Sequence, residues 1–133
     1  MNAKREMKLQ RMLMPKQPPE KRIRNFQEVA LGYTPEQAIA EAKRCLQCPK
    51  PFCKPGCPVE IDIPAFIDAI RQQNFDKAAE ILRDKNNLPA ITGRVCPQED
   101  QCEKVCVLSK TGDPIAIGAL ERFIADYELK RGL

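Results

Sequence analysis

Seven cysteines and the absence of any histidine bound the chemistry open to this 133-residue chain. Cys45, Cys48, Cys53 and Cys57 fall within thirteen residues as C-x2-C-x4-C-x3-C-P. Cys96, Cys102 and Cys106 follow about forty residues later as C-P-x4-C-x3-C. Thiols in such numbers form disulfides, bind zinc or hold iron–sulfur clusters. With no imidazole available, any metal site must be built from thiolates and completed, where needed, by oxygen.

Disulfides fit poorly. Residues 1–10 are polar and charged, with no apolar core of a secretory signal. An odd cysteine count leaves one thiol over, and thiols of a cytoplasmic chain, the expected compartment, stay reduced. Structural zinc takes four ligands, commonly from two C-x2-C pairs. Only Cys45 and Cys48 form such a pair, and one zinc would leave three cysteines without a role. A zinc-stabilised interaction module without redox function is therefore the alternative reading.

Iron–sulfur chemistry suits the spacing better. Bacterial ferredoxins bind four-iron clusters through C-x2-C-x2-C-x3-C-P, the fourth cysteine serving the other cluster. This chain has the same run with two extra residues in the gap before its third cysteine. Short loops let Cys45, Cys48 and Cys53 reach three corners of one cluster while Cys57 is steered to a second. The later block would return one thiolate to the first cluster and give two to the second.

Seven thiolates leave one iron of two four-iron clusters without a protein ligand. In the last predicted helix Ile117, Leu120 and Ile124 mark an apolar face, and Glu121 lies on it. Its neighbours three and four residues away are Ile117, Gly118, Ile124 and Ala125, none of them basic. A carboxylate facing a core unpaired is neutralised or bound to metal. An acid at the edge of the stripe, reaching water or a lysine from elsewhere, gives the same pattern.

The elements that must bring these groups together are helical. Thr34-Pro35-Glu36-Gln37 has the form of a capping box with proline at the first helical position. The helix it starts delivers the chain to Cys45, and the proline-broken cysteine block reads as loop. A helix capped by Asp62 or Ile63 carries Phe66, Ile67 and Ile70 on one side. A second, capped by Asn74, carries Phe75, Ala78, Ala79 and Leu82. This pair forms a hairpin that returns the second cysteine block to the first. Residues 88–95 read as irregular, 99–105 as a short helix, and a final helix runs from about residue 115 to 129. No stretch alternates with period two, so an all-α fold is expected.

Charge and composition narrow the partners. Only 5% of the residues are aromatic and 12 are proline, a thin core for this length that an internal staple would support. Residues 1–24 hold eight bases against two acids, leaving a net −2 for the rest of a chain of charge +4. Pro15, Pro18 and Pro19 keep this arm extended beyond any helix over residues 3–13. The arm lacks the interleaved aromatics that stack on single-stranded nucleic acid, so it is read as lying along another domain or subunit. No apolar run reaches membrane-spanning length.

The assembled motifs resemble a known family. They look like the N-terminal domain shared by the glutamate synthase small subunit, dihydropyrimidine dehydrogenase and the large subunit of the electron-bifurcating NADH-dependent ferredoxin–NADP oxidoreductase. The matching residues are Arg24-Asn25-Phe26-x-Glu28-Val29, Ala42-x-Arg44-Cys45-Leu46-x-Cys48 and Cys57-Pro58-Val59 leading to Ile61-Asp62-Ile63-Pro64. Gly93-Arg94-Val95-Cys96-Pro97-Gln98 and Ile117-Gly118-Ala119-Leu120-Glu121-Arg122-Phe123 extend the likeness.

The resemblance implies an α-helical ferredoxin-like domain over residues 34–133, preceded by the extended basic arm of residues 1–33. It implies two 4Fe-4S clusters, one on Cys45, Cys48, Cys53 and Cys106, the other on Cys57, Cys96, Cys102 and Glu121. Such a domain relays electrons and is not catalytic on its own. Its partners would be a flavin- and NAD(P)H-binding domain and another redox subunit, with neither nucleic acid nor membrane involved. FAD and NAD(P)H would belong to that downstream or partner module, since none of the six glycines forms G-x-G-x-x-G. The expectation is an excised domain or a stand-alone cluster subunit.

Overall fold

A computed structural model describes residues 9–132, so most of any helix over residues 3–13 lies outside the described residues. The described residues form seven helices: α1 (Pro19–Arg22), α2 (Pro35–Ala42), α3 (Cys53–Gly56), α4 (Ile63–Arg71), α5 (Phe75–Lys85), α6 (Pro89–Val95) and α7 (Ile117–Arg131). No strand occurs among them beyond one isolated antiparallel bridge between Lys16 and Ala30. The all-α expectation holds.

Local signals start the helices where the sequence reading placed them. The Thr34 hydroxyl accepts from the Gln37 amide at 3.2 Å, and the Gln37 side chain accepts from the Thr34 amide at 2.9 Å. Both halves of the capping box are therefore made. The Asp62 carboxylate caps α4 and the Asn74 side chain caps α5. Gln73, at φ +62, turns the chain between them.

α4 and α5 pack together as a hairpin, α4 against α2 and α5 against α7, burying Phe66, Ile67, Ile70, Leu82, Leu120 and Ile124 almost completely. Phe75 meets Phe123 edge to face at 5.1 Å, at the end of the hairpin farther from the thiols. Burial of these side chains is the main non-metal stabilisation, roughly 2 kcal/mol for each large one.

Four elements differ from the sequence reading. The cysteine block, read as loop, contains the single turn α3, and the arm, read as extended, contains the single turn α1. Residues expected to be irregular form α6, with Pro89 at its first position. Its larger apolar residues, Leu88, Ile91 and Val95, point outward, at 58%, 54% and 68% exposure. The inner face is supplied by Pro89 and Gly93, so no inward apolar stripe announced it. The helix expected over residues 99–105 is only a 3-10 turn, Gln98–Asp100, followed by turns. There the Gln98 carbonyl accepts from the amides of Gln101, three residues on, and Glu103, five residues on, in place of the four-residue bond that an α-helix repeats.

Among the described residues, the basic arm makes several contacts with the chain's own body. Arg11 pairs with Glu103 at 2.8 Å, and the Met12 amide donates to Glu41 at 2.8 Å. Arg122 donates to the Ala30 carbonyl at 2.9 Å and pairs with Glu28 at 3.2 Å. The stretch around α1 stands away from the body, with Ile23 and Phe26 exposed.

Candidate metal centre

Helix ends and turns deliver the seven thiols to one side of the α4–α5 hairpin and the start of α7. Cys45 follows the end of α2, Cys48 lies in the loop beyond it, and Cys53 opens α3. Cys106 precedes the 3-10 turn Val107–Lys110. These four thiols line a single cavity whose walls include Ile63, Ile67, Ile115 and Ile117. It is an apolar, thiol-lined space.

Cys57, at the end of α3, is not part of that lining. It is instead associated with Cys96, which ends α6, and with Cys102. Burial raises the Cys96 thiol above its ordinary value, with Glu121 and Cys57 adding repulsion. Burial pushes Cys102 up to about 12, with Glu103, Cys57 and Glu121 contributing.

The first set shows the same internal coupling. Cys53 is pushed up to about 11, by burial first and then by Cys45, Cys106 and Cys48. Cys45 is raised by burial, with Cys106 and Cys48 contributing. Four of the thiols thus line one cavity, while Cys96 and Cys102 each lie within electrostatic reach of Cys57 and Glu121. A thiol held above its ordinary value releases a proton when metal binds it. Among the described residues, no three Cys, Asp or Glu side chains converge on a point that one metal ion would occupy.

Glu121 is buried at 6% exposure. Its Oε1 accepts from the Thr92 hydroxyl at 2.6 Å and from the Asn86 amide at 2.8 Å. Among the described residues no Lys or Arg pairs with it. Desolvation raises its carboxyl above the ordinary range, and the two hydrogen bonds partly offset that. Thr92 and Asn86 escaped the sequence reading because they reach Glu121 only across a tertiary contact. The Asn86 side chain carbonyl also accepts from the Leu88 amide, just before α6 begins.

Two further acids support the loops. Glu41, fully buried, accepts from Arg44 at 2.6 Å, from the Ala116 amide at 2.9 Å and from the Met12 amide. Glu103 accepts from the Gly118 amide at 3.2 Å as well as from Arg11. These acids join α2, the arm, the second cysteine block and the start of α7. Most of their partners lie far along the chain, so local sequence gave no sign of such roles.

The donor set fits iron–sulfur clusters. Four thiols around one apolar cavity match a four-thiolate cluster, and three thiols with a buried carboxylate could serve a second. The family described as dihydropyrimidine dehydrogenase domain II, 4Fe-4S cluster, matches residues 22–133. The chain is 38% identical over 117 residues to a glutamate synthase [NADPH] small chain of Halomonas elongata, covering 88% of this chain and 25% of that protein. It is 45% identical over 101 residues to the NAD-dependent dihydropyrimidine dehydrogenase subunit PreT of Salmonella typhimurium, covering 76% and 24%. A glutamate synthase [NADPH] small chain of Escherichia coli is 38% identical over 124 residues, covering 93% and 26%. The chain spans about a quarter of the length of these relatives.

Proposed function

The chain belongs to the dihydropyrimidine dehydrogenase domain II, 4Fe-4S cluster family, and we propose that it holds two such clusters and relays electrons between two redox modules. One module would bind flavin and NAD(P)H, as part of the same polypeptide or as a partner; the other would be a further redox subunit. The single observation that carries this reading is the apolar cavity lined by Cys45, Cys48, Cys53 and Cys106. Those residues would hold one cluster, and Cys57, Cys96, Cys102 and Glu121 the other. The expected setting is the reducing cytoplasm; no helix among the described residues is long and apolar enough to cross a membrane.

Bound clusters supply reversible one-electron chemistry. The chain's own residues supply ligands and control their surroundings. Ile63, Ile67, Ile115 and Ile117 keep water from the first set, and burial of this kind sets both potential and solvent access. The Glu121 carboxylate, held by Thr92 and Asn86, offers oxygen where the second set has only three thiols. No general acid, base or nucleophile is needed for such a relay.

The exposed stretch around α1 offers a face for a partner. Ile23 and Phe26 project there, beside Lys21, Arg22 and Arg24, which form no ion pair among the described residues. An acidic surface with an apolar pocket would complement it.

A single zinc would take four thiolates and leave three of the seven cysteines without a role, which favours clusters over one ion. Anaerobic titration with dithionite, followed by electron paramagnetic resonance, tests the relay. Two reducible centres are expected, and NAD(P)H should reduce them only when a flavin module is added. A colourless protein that takes up no electrons would overturn the proposal.

A further inference from the structure

Gln47 sits between two of the thiols in an unusual backbone conformation. Its φ is +52, in the left-handed region that side chains other than glycine rarely adopt. The conformation is held by the side chain. The Gln47 Nε2 group donates to the Pro64 carbonyl at 3.1 Å and to the Cys45 sulfur at 3.4 Å. One amide nitrogen thus serves both acceptors. Turning the amide over would set its oxygen against the Pro64 oxygen, so the Pro64 contact fixes which end faces the sulfur.

Cys45 therefore receives a side-chain N–H from a residue two positions along its own loop. Pro64 lies in the first turn of α4, which packs into the hydrophobic core. A rigid helix thereby anchors a donor aimed at one sulfur of the cavity.

We propose that Gln47 is a positioning and tuning residue that raises the reduction potential of the cluster bound through Cys45, leaving the other cluster unaffected. The inference rests on the two-cluster reading above and goes beyond it. The physical reason is electrostatic. Reduction adds negative charge to the cluster, and part of it falls on the ligand sulfurs. An N–H dipole pointed at such a sulfur stabilises the reduced form more than the oxidised one. The apolar walls Ile63 and Ile67 leave little water to take over that role.

Two variants separate tuning from folding. Gln47→Gly removes the side-chain amide, keeps the backbone N–H and favours positive φ. Gln47→Glu keeps the shape and replaces the donor with an acceptor that carries charge. Each is compared with the unaltered protein by anaerobic redox titration, with the two centres resolved by electron paramagnetic resonance.

At a fixed potential, Gln47→Gly should shift the reduced-to-oxidised ratio of one centre toward oxidised by roughly tenfold, about 59 mV for a one-electron couple. Gln47→Glu should shift it further in the same direction, and the second centre should not move in either variant. Equal movement of both centres, or of neither, would overturn the inference. Failure of Gln47→Gly to bind iron would overturn it as well, because the residue would then be needed to build the loop. An unaltered protein lacking two reducible centres would instead remove the two-cluster reading itself.

Discussion

The Thr92 hydroxyl of α6 donates to the buried Glu121 carboxylate of α7 at 2.6 Å. That contact, with the Asn86 amide beside it, holds an acid near Cys96 and Cys102 without neutralising it by a cation. As a metal ligand the carboxylate is harder than thiolate and favours ferric iron. The cluster served by Glu121 should therefore have the lower potential of the two. Replacement by cysteine, Glu121→Cys, should raise that potential and leave the other centre in place. A redox titration in which neither centre moves would defeat the assignment.

Close packing of α6 on α7 places this acid. A Cβ added at Gly93 would lie 2.7 Å from the Arg122 backbone nitrogen and 2.9 Å from its Cα, which neither helix can yield without separating. Gly93→Ala should cost about 1–3 kcal/mol through overpacking and draw Thr92 away from Glu121. Thermal unfolding and iron analysis check this together. The expected result is a lower melting temperature with iron lost from the Glu121 centre first, and unchanged values for both would refute it.

Glu41 is the buried hub on the other side of the cysteine loops. Removing its carboxylate leaves the Met12 and Ala116 amides without their acceptor and takes a 2.6 Å partner from the buried Arg44. Glu41→Ala should destabilise the protein by about 3–5 kcal/mol, the scale for breaking a buried pair. Chemical denaturation of the cluster-loaded protein measures the loss. A change within about 0.5 kcal/mol, typical of surface positions, would show that the hub is dispensable.

Attachment of the arm should depend on pH through Glu28. The Arg94 guanidinium, at 2.5 Å, holds the Glu28 carboxyl below its ordinary value, and Arg122 adds to the effect. A depressed carboxyl contributes stability that is complete above its unfolded value, about 4.3, and that disappears as pH falls through the folded one. Proteolysis of the arm should therefore accelerate across that acid range. In Glu28→Gln the arm should be cut faster at neutral pH, with a flatter pH dependence. Equal acceleration in both proteins would place the pH sensitivity elsewhere.

What the sequence made legible follows from the reach of each signal. Capping is local, so Thr34, Asp62 and Asn74 marked three helix starts that the structure shares. The stripes of α4 and α5 face a core and were readable by period. α6 was hidden because its apolar side chains face outward and its packing face is a glycine. Burial of Glu121 was legible from its place between Ile117 and Ile124, but its donors Thr92 and Asn86 were not, since they lie across a tertiary contact. The same holds for Gln47, whose link to Pro64 requires α4 to fold back on the cysteine loop.

Two four-iron clusters on seven thiols and one acid, as proposed here, would fix the metal content of the chain. Iron, acid-labile sulfide and zinc are determined together on anaerobically prepared protein. About eight irons and eight sulfides per chain are expected, as two 4Fe-4S clusters require, with zinc negligible. Zinc in stoichiometric amount with no sulfide would contradict the proposal.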